Sequence, residues 1–120
     1  MRSILVADDN VANRELIATI LERQGYRIIE ARDGAEALRL LEANAPDLML
    51  LDIHMPVMNG FAVVDKVRAD ARYTKLPIVA LTASAMGDEE EALNHGFSAF
   101  IAKPYSIQDI TELVKKLLEG

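Results

Sequence analysis

The sequence predicts an α/β protein, (βα)5, in which five parallel strands form one doubly wound sheet. Short apolar runs alternate with stretches in which apolar residues recur at helical spacing. Three runs, residues 4–7, 48–51 and 78–81, are apolar at every position, which is typical of strands buried on both faces of a parallel sheet. Strands that alternate with helices favour right-handed crossovers, which place helices on both faces.

The five predicted strands are residues 3–7, 27–31, 47–51, 77–81 and 98–102. The second and fifth strands have weaker apolar patterns, so we expect them nearer the edges of the sheet. Five strands are too few for the eight-stranded barrel.

A helix is predicted after each strand. Asn10 is a good N-cap for the first helix, and Asp33 opens a capping-box pattern at the second. The third helix follows Gly60, the fourth starts at Asp88 and the fifth opens at Ser106. The residues that we expect these helices to bury are Leu16, Ile17, Ile20, Leu21, Ala37, Leu38, Leu41, Val63, Val64, Val67, Ile110, Leu113, Val114, Leu117 and Leu118.

Length and composition exclude several classes of protein. The 120 residues match a single domain, and 51% are hydrophobic, enough for one core. A formal net charge of -6 argues against direct DNA binding and against binding to anionic membranes. The absence of cysteine excludes disulfides and thiolate metal sites. Neither a signal peptide nor a run of about 18 apolar residues is visible, so we expect a cytoplasmic protein.

Polar residues mark the carboxyl ends of four predicted strands, the edge at which open parallel sheets bind ligands. Asp8 and Asp9 follow the first strand, Asp52 the third, Thr82 the fourth and Lys103 the fifth. Three carboxylates at close range repel one another, and a hard divalent cation such as Mg²⁺ removes that cost. Three acids, a hydroxyl and an amine in one cleft predict a divalent cation and a phosphoryl group.

Asp52 is the best candidate for a nucleophile, because it stands alone at the end of a central strand. A carboxylate can attack phosphorus and form an acyl phosphate. The adjacent pair Asp8 and Asp9 is better suited to holding metal. Lys103 supplies a compact positive charge and Thr82 a hydroxyl donor, which suits the charge neutralisation that phosphoryl transfer needs.

Four segments at the strand ends are Val6-Ala7-Asp8-Asp9-Asn10, Leu51-Asp52-Ile53-His54-Met55-Pro56 with Asn59-Gly60, Leu81-Thr82-Ala83, and Lys103-Pro104. Together they resemble the motifs of the response-regulator receiver domain of two-component signalling. Each is weak alone, but all four occur in order and each follows a predicted strand. The resemblance covers residues 1–120 and implies one receiver domain with the flavodoxin-like, CheY-like strand order 2-1-3-4-5.

The resemblance implies the chemistry of the acids. Asp52 would accept phosphate from the phosphohistidine of a sensor histidine kinase or a histidine phosphotransfer protein, and would become 4-aspartylphosphate. Mg²⁺ would bind the carboxylates of Asp9 and Asp52, Asp8 mainly through water, and the backbone carbonyl of His54. The protein would then be a signalling phosphoacceptor that catalyses only its own phosphotransfer and autodephosphorylation.

The resemblance also implies a switch. Thr82 and Lys103 would bind the phosphoryl oxygens, and the Lys103-Pro104 bond would be cis. Phe100 occupies the aromatic switch position, where many members carry tyrosine, so a hydrogen bond from a ring hydroxyl is excluded. Phosphorylated Asp52 would attract the Thr82 hydroxyl, the Phe100 ring would enter the vacated space, and the face of helix 4, strand 5 and helix 5 would change for a downstream protein target. A fixed core role for Phe100 is the competing interpretation.

The remaining expectations concern partners and plainer roles. By the resemblance, a phosphodonor would contact Asn13, Arg14, Ile17, Met55-Pro56 and Pro104-Tyr105. The His54 imidazole is expected to face solvent, and His95 is expected to be an ordinary helix-end residue. Met49, Met55, Met58 and Met86 are expected to be packing residues, and the acidic run 88–91 a solvated helix start.

Several alternatives stay open. A magnesium-dependent aspartyl-phosphate phosphatase of the haloacid dehalogenase type would carry a second acid two residues after the nucleophile, where this chain has His54. A nucleotide- or flavin-binding module would need a phosphate loop, and Asp8-Asp9-Asn10 has the wrong charge. A pseudo-receiver would signal without phosphate. The chain is either a stand-alone CheY-like or DivK-like receiver, which Met1-Arg2-Ser3 favours, or the receiver of a longer chain such as a hybrid kinase.

Overall fold

Five strands and five helices alternate along the part of the chain that the structure describes. The computed structural model describes residues 1–82, 88–102 and 105–119. The elements are β1 (Ser3–Ala7), α1 (Val11–Arg23), β2 (Arg27–Ala31), α2 (Gly34–Asn44), β3 (Leu48–Asp52), α3 (Gly60–Arg68), β4 (Ile78–Thr82), α4 (Asp88–His95), β5 (Ala99–Ala102) and α5 (Ile107–Glu119). A 3₁₀ turn at Ala71–Tyr73, which the sequence pattern did not predict, precedes β4. No helix in these ranges is long and apolar enough to cross a membrane.

All pairs of neighbouring strands are parallel, and the strand order is β2-β1-β3-β4-β5. The predicted (βα)5 sheet with order 2-1-3-4-5 is confirmed, and so are the edge positions of β2 and β5. The strand order reverses between β1 and β3, which is the point where ligands bind in open α/β sheets. Ala7 of β1 pairs with Leu51 of β3, so the residues that follow these strands start side by side.

The predicted bounds of β3 and β4 are wrong by one residue at each end. Asp52 pairs with Leu81 and Thr82 pairs with Ala102, so both polar residues end strands and do not follow them. At the start of β4, Pro77 has no N–H to add to the ladder. Ser98, predicted as the first residue of the fifth strand, also lies outside the strand.

The core has one layer on each face of the sheet. Side chains such as Leu5, Met49 and Ala80 pack on the face covered by α2, α3 and α4. Their neighbours Ile4 and Leu50 pack on the opposite face with α1 and α5. Every residue of β1, β3 and β4 is buried, which explains why these strands read as apolar at nearly every position.

Side chains at the predicted helix starts act as caps. Asn10 Oδ1 accepts from the Asn13 N–H at 3.0 Å, and Asp33 Oδ1 accepts from the Glu36 N–H at 2.8 Å. Ser106 Oγ accepts from the backbone N–H three residues on at 3.0 Å. An equivalent cap at Asn59 starts α3, and the sequence pattern did not single it out. The caps determine how the chain leaves the carboxyl ends of the strands.

The first helix corrects one prediction about the core. Leu16, predicted to be buried, is 53% exposed. The buried stripe of α1 is formed by Ile17, Ala18, Ile20 and Leu21. At about 100° per residue, Leu16 lies roughly 160° around the helix from Ala18, on the side that faces solvent. Of the other predicted core residues, Leu38, Leu113 and Leu117 are only partly buried.

Candidate metal and phosphoacceptor site

Three acids meet at the carboxyl edge of β1 and β3. Carboxylate oxygens of Asp8, Asp9 and Asp52 lie within 4.8 Å of one another. Asp8 and Asp52 are buried and Asp9 is exposed. Keeping these carboxylates ionised at such short range is costly without a counter-charge, and oxygen ligands in a small cluster suit a hard divalent cation. The predicted convergence of the acids is therefore present, and their donor set fits Mg²⁺.

Backbone N–H groups hold one oxygen of each buried acid. Asp8 Oδ1 accepts from the Asn10 N–H at 2.9 Å, and Asp52 Oδ1 accepts from the His54 N–H at 3.1 Å. Both bonds span two residues, the geometry of an Asx turn. The His54 side chain is exposed, as predicted.

Gly60 allows α3 to pack directly against the end of β3. A Cβ at Gly60 would lie 2.8 Å from the Asp52 carbonyl oxygen and 2.9 Å from Ile53 Cα. The Gly60 N–H donates to the Ile53 carbonyl at 2.9 Å. This close approach explains why the Asn59-Gly60 motif places a glycine here, and it fixes the main chain that carries the Asp52 carboxylate.

Thr82 ends β4, the strand beside β3, and its side chain is fully buried. Among the described residues, its Oγ1 has no hydrogen-bond partner. A buried hydroxyl without a partner costs about 1–3 kcal/mol. The atom therefore fits a hydrogen bond to a ligand oxygen, such as that of a phosphoryl group on the neighbouring strand.

Several predicted residues lie outside the described part of the chain or keep an untested role. Lys103, Pro104 and Met86 fall outside the described residues, so the predicted cis bond and phosphoryl contact of Lys103 stay predictions. Phe100 is half-buried and packs against the core layer under α2, α3 and α4. Its switch role also stays a prediction. The methionines Met49, Met55 and Met58 pack in or against the core, as predicted.

Comparison with known proteins decides the family. The family model for the response regulator receiver domain matches residues 4–115. The chain belongs to this family. It is 37% identical over 118 residues to the polar-differentiation response regulator DivK of Brucella anthropi, which covers 98% of this chain and 96% of that protein.

Solved receiver domains share the fold. The signal receiver domain of a signal transduction histidine kinase from Syntrophus aciditrophicus superposes with a TM-score of 0.93 at 32% identity, covering 100% of this chain and 92% of that chain. The receiver domain of a sensor histidine kinase from Pseudomonas aeruginosa gives 0.91 at 30% identity over 99% of this chain and 98% of that chain. That structure has a magnesium ion coordinated in its active-site cleft. The protein is therefore a signalling receiver domain of the two-component type.

The receiver domain carries a contact to its acid cluster that the sequence did not predict. Arg14 was expected on the docking surface, but its side chain is only 14% exposed. Its Nη1 donates to the Asp8 carbonyl at 2.8 Å, and its Nε donates to Glu30 Oε1 at 3.1 Å. The sequence offers one signal that Arg14 faces inward: it lies three and four residues before the buried Ile17 and Ala18.

The predicted docking contact at Ile17 is wrong, because that side chain is 0% exposed and belongs to the core. Leu16 is the apolar side chain that α1 presents to solvent at this level. The position of the buried stripe on α1 decides which of the two residues reaches solvent, and it places Ile17 inside and Leu16 outside.

The field of the buried acids reaches Tyr105, which lies three residues after the last residue of β5. Burial, followed by the negative charges of Asp8 and Asp52, raises the pKa of Tyr105 to about 12. The negative charges act in this direction because they oppose formation of a second anion nearby. The same field favours a cation at the acid cluster.

Proposed function

We propose that the receiver domain accepts a phosphoryl group on Asp52 from a phosphohistidine and passes the signal to a protein target. The observation that carries this proposal is the buried Asp52 carboxylate, whose oxygens lie within 4.8 Å of those of Asp8 and Asp9. The neighbouring strand ends in the buried hydroxyl of Thr82, which suits a phosphoryl oxygen. We also propose that residues 1–120 form this one domain.

Asp8, Asp9, Asp52 and the carbonyl of His54 are the groups that would hold Mg²⁺. When bound, the ion supplies positive charge that offsets the acids and the phosphoryl oxygens. The backbone bonds to Asp8 and Asp52 hold the acids ready for it. This preorganisation is the contribution that the chain itself makes to binding.

The transfer moves one phosphoryl group between two nucleophiles. A carboxylate oxygen of Asp52 attacks phosphorus, and the P–N bond breaks as the P–O bond forms. The imidazole of the donor leaves with the electron pair of the broken bond. Thr82 donates a hydrogen bond to a phosphoryl oxygen, and Lys103 balances its charge. Attack of water on the same phosphorus later releases phosphate and restores the carboxylate, which is the proposed autodephosphorylation.

Intact mass measurement tests this proposal. Wild type incubated with acetyl phosphate and Mg²⁺ should gain one phosphoryl group, and omission of Mg²⁺ should abolish the gain. Asp52→Asn should gain none, whereas Asp65→Asn, which changes an exposed aspartate of α3, should react like wild type. Folded wild type that forms no adduct would favour a pseudo-receiver, and multiple turnover on phosphate esters would favour the phosphatase.

We also propose that the phosphodonor docks on the exposed side of α1, where Leu16 replaces Ile17 as the expected apolar contact. Leu16→Glu should slow phosphorylation by a histidine kinase that phosphorylates the wild type, but not phosphorylation by acetyl phosphate. Equal slowing of both reactions would contradict the docking surface. Ile17→Glu is unsuitable as a test, because it would place a charge in the core.

A further inference from the structure

We propose that Arg14 is a positioning residue for the metal site, which holds the Asp8–Asp9 segment in the geometry that the cation requires. The inference rests on the proposed function, because it takes the three acids to be the Mg²⁺ site. It goes further because it proposes that Mg²⁺ affinity depends on Arg14, a residue of α1 that is not itself a metal ligand.

The contacts of Arg14 connect three elements around the acids. Arg14 lies in the first turns of α1 and is mostly buried. Its Nη1 reaches the carbonyl of Asp8, and its Nε reaches the carboxylate of Glu30 on β2. A guanidinium is planar and presents its donors in fixed directions, so two bonds from one group fix its orientation. The segment after β1 is thereby attached to both α1 and β2.

The carbonyl that Arg14 binds belongs to the peptide that joins Asp8 and Asp9. A peptide group is planar, so a hydrogen bond to its oxygen restricts the orientation of both acids relative to each other. The Asp8 N–H donates to the Ala31 carbonyl at 3.1 Å, and Asp8 Oδ1 is held by the Asn10 N–H. Without Arg14, a carbonyl beside a fully buried residue would lose its charged donor, and rotation of this peptide would be the direct way to find another.

The sign of the effect on Mg²⁺ binding separates positioning from simple electrostatics. A positive charge close to the acids repels Mg²⁺, so removal of a purely electrostatic Arg14 would tighten binding. Removal of a positioning Arg14 would weaken binding, because the acids would lose their arrangement. Glu30 already offsets the charge of Arg14 at 3.1 Å, so we expect the positioning effect to dominate.

The test is a Mg²⁺ titration followed by amide chemical shifts, which needs no phosphorylation. Arg14→Met should weaken Mg²⁺ binding about tenfold, the size typical for residues that orient metal ligands. Arg14→Lys keeps the charge but has one ammonium for two acceptors, so its Mg²⁺ affinity should lie between those of Arg14→Met and wild type. The control Arg32→Met makes the same change in charge at a side chain that is 74% exposed, and its affinity should stay within about twofold of wild type.

A second variant keeps the test decisive if Arg14→Met does not fold. Arg14→Lys conserves the charge, so weaker Mg²⁺ binding in this variant cannot come from electrostatics. Glu30→Gln leaves the Asp8 bond but removes a negative charge, so it should weaken binding through both electrostatics and the loss of the guanidinium anchor. The ¹⁵N shift of the Asp9 amide should change in each Arg14 variant, because that nitrogen belongs to the peptide that Arg14 polarises. Unchanged or tighter Mg²⁺ binding in the folded variants would overturn the inference alone. Wild type that binds no Mg²⁺ would overturn the proposed metal site itself, and the inference with it.

Discussion

The acids of the site and the surface expected to respond to phosphate are held in place by different kinds of contact. The acid half comprises Asp8, Asp9 and Asp52 with β1 and β3, and both strands are buried along their whole length. Main-chain hydrogen bonds and close backbone packing hold most of it in place, and the Arg14 side chain adds one contact. The response half comprises α4, β5 and α5, and in β5 only Ile101 is buried. Less burial leaves a region with a lower cost of local rearrangement.

Side-chain contacts from α3 anchor the C-terminal end of α4. Arg68 donates to the Gly96 carbonyl at 2.9 Å, to the Tyr73 carbonyl at 2.7 Å and to Ser98 Oγ at 3.3 Å. The turn between α4 and β5 is thereby attached to the chain that leads into β4. One arginine carries much of the connection between this turn and its neighbours.

The last residue of α4 adds to the same anchor. His95 Nδ1 lies 2.9 Å from Asp65 Oδ1, and the His95 ring packs on Phe61 with centroids 4.7 Å apart. The opposite end of α4 follows residues 83–87, which lead from Thr82 at the site. The acid half therefore rests mainly on backbone contacts, to which Arg14 adds one side chain, whereas the end of α4 depends on side chains from α3. A receiver built in this way can hold its acids firmly while the surface expected to respond is supported at one end.

The largest effect should come from disturbing the backbone support of the acid half. Gly60→Ala should lower the free energy of unfolding by about 2–3 kcal/mol, because its Cβ would meet main-chain atoms of Asp52 and Ile53 at 2.8 and 2.9 Å. Gly25→Ala is the control: nothing lies within 4 Å of its Cβ, and its φ of +95° should cost about 1 kcal/mol. Urea unfolding measures both, and equal losses would contradict close packing at Gly60.

The next effect concerns the side-chain support of the response half. Arg68→Met should cost about 2 kcal/mol, because two part-buried carbonyls and the exposed Ser98 hydroxyl lose a charged donor. Arg39→Met, at a side chain that is 68% exposed, should cost less than about 0.5 kcal/mol.

Hydrogen exchange would localise the loss. Amides of β5 should exchange faster in Arg68→Met, while those of β1 and β3 should change only through the global loss of stability. Equal acceleration throughout the sheet at matched global stability would show that the anchor is not local to the response half.

The smallest effect is a shift in the titration of Tyr105. Asp52→Asn should lower the pKa of Tyr105 from about 12 toward the ordinary 10.0, but not to it, because burial and Asp8 still raise it. The sign follows from removing one of the negative charges that oppose tyrosinate formation. Tyrosinate absorbance measures the shift, and Tyr105→Phe identifies the transition. An unchanged pKa would place Asp52 too far from Tyr105 to act on it.

The same raised pKa has a consequence for stability. A group whose pKa is higher in the folded protein contributes stability that is complete below its unfolded value and is lost as pH rises through the folded value. For Tyr105 this loss falls between about pH 10 and pH 12. The part of the loss of stability that comes from Tyr105 should be smaller in Asp52→Asn and absent in Tyr105→Phe.

The fold and the acid cluster could be predicted because both depend on simple periodic patterns. Uniform apolar runs predict buried parallel strands, and parallel strands bring their carboxyl ends to one edge, so Asp8 and Asp52 meet although they are 44 positions apart in the sequence. Capping residues predicted the helix starts at Asn10 and Asp33, because each cap acts within three residues.

The errors arose where packing decides between neighbours in sequence. Leu16 and Ile17 are both apolar, and only the direction of the α1 stripe determines which is buried. The bond from Arg14 to Asp8 and its pair with Glu30 depend on how α1 lies across β1 and β2. No local spacing specifies that contact between three elements.

Amide chemical shifts of the phosphorylated protein test the central claim most directly. Wild type kept in excess acetyl phosphate and Mg²⁺ should show shift changes at the acids and across α4, β5 and α5, with the amides of α2 and β2 little changed. Asp52→Asn under the same conditions should show none of the changes that depend on phosphate. Unchanged shifts across α4, β5 and α5, in protein that carries the phosphoryl group by intact mass, would contradict the account.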